Sequence, residues 1–247
     1  MKSIYFDLRR AIAGRWFLAA LIATTVALYL SVGQATYGLI QYLESYEMLD
    51  EDSFWYSMSE LLALGMKGSF GMLTLPALSA LPFAAQALQE IRSGAIRPAV
   101  FRTGRNCWIL GKTVGCAISG MLLQAESVGL LFLILNGLMR CIAGEWFPLG
   151  DEGDFQLLLV NRMLCGGIWA GAGCVIALAT ETASAAYLAP LCLSYTFMMI
   201  GTRFFPDAVM LNPMQWVDGM TWLLVVLLAV TVCLQAFFLN RGVRKYV

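Results

Sequence analysis

The chain has 247 residues, of which 60% are hydrophobic and 13% charged, with a mean hydropathy of +0.72. A soluble domain usually has about 45–50% apolar and about 25% charged residues, so an integral membrane protein is the default expectation. The formal net charge is zero, which gives no global field for nucleic acid. The absence of histidine removes the commonest metal ligand and general base.

The first segment, residues 2–13, has the pattern of a short amphipathic helix. Ile4, Leu8 and Ile12 fall on one helical stripe, whereas Arg9 and Arg10 lie off it. This pattern predicts a helix that lies on the inner membrane surface. The alternative is that these residues are simply the cytoplasmic start of the first membrane span.

Six later segments are apolar enough to be membrane spans of an all-α protein, because a helix needs about 20 apolar residues to cross about 30 Å of hydrocarbon. They are residues 16–40, 68–88, 108–138, 157–180, 185–201 and 220–240. Pro76 and Pro82 are expected to kink the second span. Residues 202–218 are too broken to span and too apolar for a free loop, which predicts a broken, re-entrant outer segment before the last helix. We expect a single transmembrane domain over residues 1–247.

The distribution of basic residues predicts the orientation of these spans. The proposed inner segments hold twelve Lys and Arg residues, namely Lys2, Arg9, Arg10, Arg15, Arg92, Arg97, Arg102, Arg105, Lys112, Arg241, Arg244 and Lys245. The outer segments hold Arg140, Arg162 and Arg203, with Lys67 at a boundary. Cytoplasmic loops carry an excess of Lys and Arg, so both termini are predicted to be cytoplasmic in a multi-pass plasma-membrane protein.

The loop over residues 89–107, called the basic loop below, has the strongest local charge pattern. It carries Arg92, Arg97, Arg102 and Arg105 against one acid, Glu90. It either sets the orientation only or also forms a docking surface for a soluble partner. A short helix parallel to the membrane is predicted from Ala95 to Phe101, interrupted by Pro98.

Three polar side chains in or beside the spans are candidates for a translocation path: Lys67, Gln124 and Glu126. Ionisable groups in a membrane are costly and usually face protein or water. Lys67 either contacts an anionic ligand or lipid headgroup, or simply extends its side chain to the membrane interface. Gln124 and Glu126 have two interpretations. They line the translocation path, or they have a structural role, as a hydrogen bond that holds the helix bundle or as a Glu near the outer headgroups.

Several chemistries have no motif in the sequence. There is no GxxxxGK[ST] phosphate loop, no HExxH, and no Ser or Cys nucleophile with a His to activate it. We therefore expect no catalytic residue, no metal site and no cofactor bound by this chain. The remaining candidates for an enzyme, Glu60, Glu126 and Lys67, are isolated from one another in the sequence and form no catalytic motif.

An ordered set of residues resembles a known family. Glu90, Gly94, Arg105 and then Gly111-Lys112 occur in the second-to-third loop, and Asn212-Pro213 precedes the last span. With six spans after an amphipathic start, the chain resembles the permease subunits of ABC-2 type ABC transporters over nearly its whole length.

The resemblance implies a function and partners. Such a subunit pairs with a second identical or homologous permease and with two cytoplasmic ATPase subunits, which bind ATP and Mg. The second-to-third loop would carry the coupling helix, at about Arg92 to Thr103, which docks on the ATPase. The implied contact residues are Glu90, Arg92, Gly94, Arg97, Phe101, Arg102 and Arg105. The expected activity is export of a peptide, lipid or drug-like substrate; the alternative is a membrane-embedded immunity or lipid-handling protein without ATPase coupling.

Overall fold

The computed structural model describes residues 8–45, 58–143, 152–205 and 209–246. Within these ranges the regular structure is helical. The α-helices are α1 (Arg15–Ser45), α2 (Met58–Lys67), α3 (Ser69–Ala80), α4 (Gln86–Arg92), α5 (Ile96–Thr103), α6 (Arg105–Ala143), α7 (Glu152–Thr180), α8 (Ala185–Phe204) and α9 (Thr221–Tyr246). Two short 3-10 turns, Val209–Leu211 and Pro213–Gln215, precede α9.

Five of the described helices, α1 and α6 to α9, are long and apolar enough to cross a membrane. The helices α2 and α3 pass the same test only as a pair, which is bent by 64° and forms either a broken span or a re-entrant loop. This architecture fits an all-α multi-pass membrane protein and confirms the predicted fold at that level.

The predicted second span, residues 68–88, is not one helix. Its apolar run begins earlier, in α2, and a turn over residues 81–85 separates α3 from α4. Pro82 lies in that turn, whereas Pro76 lies inside α3. The sharp bend of 64° falls at Gly68, between α2 and α3, and the expected kink at Pro76 stays a prediction.

Close contact with α1 explains why the bend occurs at Gly68. A Cβ added there would lie 2.3 Å from the Cβ of Ser31, so only glycine fits. The Ser31 hydroxyl accepts a hydrogen bond of 3.0 Å from the backbone N–H of Gly71. The bend releases backbone groups from the helical ladder, and this bond satisfies one of them.

Helix α7 is the central element of the bundle, because it packs against α2, α3, α4, α6, α8 and α9. It approaches α6 closely at Gly166 and Gly120, where an added Cβ would meet the other residue's backbone oxygen at 2.5 Å and 2.4 Å. Small residues allow such close helix contacts in membrane proteins. The glycines of α7 therefore set the distance between the two helices.

The bundle has two ends, which we name by their composition. The basic end comprises α4, α5, the start of α6 and the end of α9, around an apolar cluster that includes Phe83, Ile96 and Trp108. The far end holds a second cluster, which includes Met66 and Trp169. Apolar side chains on the outer faces of α1, α8 and α9 are exposed, as expected for helices surrounded by lipid.

The described part of the predicted broken segment packs onto the far end through its 3-10 turns. The ring of Trp216 stacks on that of Trp169, with centroids 6.0 Å apart. Asn161 of α7 donates a 3.0 Å hydrogen bond to the carbonyl of Val217. The segment is thus held by an aromatic stack and by a side chain that satisfies its backbone.

Only the end of the predicted amphipathic helix falls in the described part of the chain. Residues 8–12 are helical, with Ala11 buried in the basic-end cluster and Arg9 and Arg10 exposed. Ile4 lies outside the described residues. The location of this helix on a membrane surface stays a prediction.

The Gly120–Gly166 crossing is testable with a single methyl group. We expect Gly120→Ala to lower the free energy of unfolding by about 1–3 kcal/mol, because its Cβ would meet fixed backbone. Gly129→Ala on the same helix is the matched control, since nothing lies within 4 Å of its added Cβ. The measurement is unfolding of the purified protein in detergent, and equal stability of the two variants would contradict the close crossing.

Candidate functional site

Helix α5 of the basic loop is continuous, contrary to the predicted interruption at Pro98. It runs from Ile96 to Thr103, so Pro98 lies in its first turn, where the missing N–H needs no intrahelical partner. Gly94 and Gly104 flank the helix with φ values of 74° and 80°, which L residues rarely adopt. The glycines let the chain reverse sharply into and out of α5.

The two faces of α5 differ in chemistry. Ile96 is fully buried, and Ala99 and Val100 pack against the basic-end cluster. On the other side, Phe101 is 83% exposed, and Arg97 and Arg102 are exposed beside it. Aromatic residues and arginines are enriched in the cores of protein–protein interfaces. The outer face of α5 therefore has the composition of a docking surface.

A buried ion pair fixes α4 to α6. The Lys112 ammonium lies 2.7 Å from the Glu90 carboxylate, and its side chain is 2% exposed. Arg10 reaches the same carboxylate at 3.4 Å, and the Lys112 nitrogen lies 5.4 Å from the ring centroid of Phe83. A charge buried this deeply depends on its partner, so α4, α6 and the N-terminal segment are held in one arrangement.

A second set of polar contacts links the basic loop to the turn after α7 and to α9. Arg92 donates to the backbone carbonyl of Glu181, and Lys245 pairs with the Glu181 carboxylate at 2.8 Å. Glu181 itself has a φ of 54°, in the left-handed region. Arg105 donates to both the carbonyl and the side-chain oxygen of Asn240.

The Glu181 carboxylate is ionised under ordinary conditions. The hydrogen bond from Lys245, with its positive charge, holds the pKa of Glu181 below its usual value. Because the folded-state pKa is lowered, the contribution of this exposed pair is present at neutral pH and is lost as the pH falls through that lowered value.

The residues predicted to contact a partner thus divide by role. Glu90, Arg92 and Arg105 bond to the bundle, Gly94 shapes the turn, and Arg97, Phe101 and Arg102 are exposed. The first group holds the basic loop against the bundle, with Arg92 itself exposed, and the last group forms the outer face of α5.

The three predicted path residues do not come together in this chain. Gln124 is fully buried, Glu126 is on the exposed face of α6, and Lys67 pairs with Asp218 at 2.6 Å. The side chains of that pair are 48% and 44% exposed. Of the alternatives left open by the sequence, Gln124 makes hydrogen bonds that hold the bundle.

The partner of Gln124 is a buried arginine. Arg162 is completely buried, and its Nε donates to the Gln124 side-chain oxygen at 3.1 Å. Its Nη1 donates to the Met66 carbonyl at 2.6 Å and its Nη2 to the Gly71 carbonyl at 3.3 Å. Gln124 in turn donates to the Ser79 hydroxyl at 2.8 Å. Arg162, which the charge count grouped with the outer segments, is therefore buried inside the bundle, beside Met66 of the far end.

These bonds explain how the bent pair is stabilised inside the bundle. Met66 and Gly71 lie on either side of the bend at Gly68, and the helical ladder is broken there. A backbone carbonyl without a partner in an apolar interior costs about 1–3 kcal/mol, so a fork of arginine donors replaces the missing helical bonds. The neighbouring Asn161 does the same for the broken segment before α9.

The sequence indicates the polar residues of the Arg162 site but not how they are paired. Arg162 and Gln124 are isolated polar residues in apolar helices, which is a sign of an internal role. Their pairing across 38 positions, and the bend that they serve, carry no local pattern.

Within the described ranges, no cluster of three or more Cys, Asp or Glu side chains is placed to hold a metal ion. No protein-family model matches the chain, and no curated protein matches it at a significant level.

Removing the buried arginine tests its role at the bend. We expect Arg162→Met to lower the free energy of unfolding by about 3 kcal/mol, because two carbonyls and Gln124 lose their donors. The change is measured by denaturant unfolding in detergent. Arg203→Met is the control, since Arg203 is exposed at the end of α8; similar losses in both variants would rule out a special role for Arg162.

The Glu90–Lys112 pair gives a second test. We expect Glu90→Gln to destabilise the fold by about 3–5 kcal/mol, because a buried ammonium loses its carboxylate partner. Glu90→Gln with Lys112→Met should be less destabilised than the sum of the single variants. A double-mutant cycle measures this coupling, and strict additivity would show that the pair contributes nothing.

Proposed function

We propose that the chain is the transmembrane permease subunit of an ABC-2 type ATP-binding cassette transporter. It exports a peptide, lipid or drug-like substrate, and separate ATPase subunits that bind ATP and Mg drive it. The observation that carries the proposal is the arrangement of α5, which displays Phe101, Arg97 and Arg102 while the Glu90–Lys112 pair joins the helices on either side of it, α4 and α6.

This arrangement suits an element that transmits movement from a partner to the membrane helices. A chain with no phosphate loop must receive work from a partner, and a rigid surface element joined to long helices can transmit it. Helix α6 starts directly after α5 and has 39 residues, so it is about 58 Å long at about 1.5 Å per residue. It passes from the basic end to Gln124, which binds Arg162 at the bend between α2 and α3.

The chemistry of α5 indicates the kind of surface it docks on. Arg97 and Arg102 fit an acidic groove, and Phe101 fits an apolar pocket within that groove. Charges at the edge of an interface mainly set orientation and association rate, whereas an aromatic side chain that becomes buried on docking supplies affinity. Phe101 is therefore expected to matter most for the strength of the complex with the ATPase.

The position of Glu126 supports the pairing of two permeases. It lies on the exposed face of α6, where nothing within the described chain lies within 4 Å of a Cβ added at Gly129. A carboxylate facing lipid is costly. A second permease placed over this face would move Glu126 from lipid to the passage between the two subunits, as expected for a path residue.

The proposal includes an orientation. An ATPase in the cytoplasm requires the basic end, with the end of α9 and residues 8–12, to face the cytoplasm of a plasma membrane. The basic residues of the loop and of the C-terminal tail support this. The alternative of an immunity or lipid-handling protein needs no partner at α5. A toxin-binding role would depend on the acidic stretch over residues 44–52, of which residues 46–52 lie outside the described residues.

The experiment is purification in mild detergent with identification of associated chains. We expect an ATPase subunit with a phosphate loop to co-purify, and Phe101→Ala with Arg102→Glu to reduce its recovery at least about tenfold, since an aromatic anchor and a charge contact are lost together. The folded chain itself should keep its stability, because both side chains are exposed.

Arg203→Glu, which changes the same charge at the far end of the bundle, is the matched control and should leave recovery unchanged. Absence of any ATPase from the wild-type preparation, or equal recovery with the α5 variant, would favour the alternative without ATPase coupling.

A further inference from the structure

A cleft of about 250 Å³ opens at the basic end between α4, the end of α7 and the end of α9. It is separate from the exposed face of α5, since Arg97, Phe101 and Arg102 do not line it. The candidate membrane spans in α7 and α9 end at Thr180 and Lys245, which places the cleft at the expected level of the lipid headgroups.

The rim of the cleft is cationic. Arg92, Arg241 and Lys245 line it against one acid, Glu181, which leaves an excess of two positive charges. Glu181 holds two of these cations in place, because its carbonyl binds Arg92 and its carboxylate binds Lys245. A residue that holds two cations beside a cavity preorganises the cavity for an anion.

The floor of the cleft is apolar, which distinguishes it from a simple phosphate site. Leu88 and Ile91 of α4 are buried there, and Leu178 and Phe238 complete the wall. A free phosphate gains nothing from such a surface.

The apolar surface continues from the cleft into the expected lipid region. Phe237 and Leu234 precede Arg241 by four and seven positions, which places all three on the same face of α9. Phe237 is 61% exposed and Leu234 45% exposed. An acyl chain would find a continuous apolar track below the cationic rim.

We propose that this cleft binds the phosphate headgroup of an anionic phospholipid, with its acyl chains along Phe237 and Leu234 of α9. Basic pockets between membrane helices on the cytoplasmic side recognise anionic lipid headgroups in this way. The site does not depend on ATPase coupling, so it stands or falls separately from the proposed transport function.

The test is native mass spectrometry of the full-length chain titrated with phosphatidylglycerol or phosphatidylcholine. We expect tighter binding of phosphatidylglycerol, and Arg241→Gln should weaken it about fivefold, the effect of one basic residue near a membrane surface. The matched control is Arg244→Gln, an equal charge change at an exposed residue of α9 outside the cleft lining. Its affinity should remain that of the wild type.

A second variant tests the cavity without changing charge. Ala179→Trp places a large side chain at the cleft lining and should also weaken binding of phosphatidylglycerol. Equal weakening by Arg241→Gln and Arg244→Gln would show general surface attraction and overturn the site. Displacement of the lipid by inorganic phosphate would identify a free anion as the ligand and overturn the lipid proposal.

Discussion

The hydrogen bonds of Arg162 are the interaction on which the rest of the fold depends. The bend at Gly68 frees backbone carbonyls inside an apolar bundle, where no water is available to satisfy them. A fully buried guanidinium reaches the carbonyls of Met66 and Gly71 and the side chain of Gln124. Gln124 is in range because α6 and α7 approach closely at Gly120 and Gly166. The glycine contact, the buried arginine and the bent pair are therefore parts of one arrangement.

The same bundle presents a very different surface at its basic end. There the charges that face inward, Glu90 with Lys112 and Arg105 with Asn240, hold α4, α6 and α9 together. Because these contacts fix the helices on either side of α5, Phe101 is exposed at the surface in a defined position. Since α6 connects this surface to the Arg162 site, a load applied at α5 has a direct mechanical route to the bend. That route is the structural basis for proposing an ATP-driven permease.

The sequence predicted the features that depend on composition and periodicity, namely the helical class, the apolar helices and the basic loop with its short helix. It did not predict the bend at Gly68, which depends on the contact with Ser31 of α1. It did not predict that Arg162 is fully buried, because the polarity of a residue indicates that burial is costly but not which distant groups offset that cost. Pro98 was expected to interrupt α5, yet its position in the first turn makes it compatible with the helix. The face on which Glu126 lies likewise follows only from how α6 packs.

The most direct measurement of the central claim places one reactive cysteine on α5. The exposed Cys107, Cys141, Cys192 and Cys233 are replaced by serine, and Phe101→Cys is introduced; the remaining cysteines are buried. A membrane-impermeant maleimide is then applied to sealed vesicles of either orientation, with and without the bound ATPase. The account predicts labelling from the cytoplasmic side alone and slower labelling when the ATPase is bound. Labelling from the outer side, or an unchanged rate with the ATPase present, would contradict it.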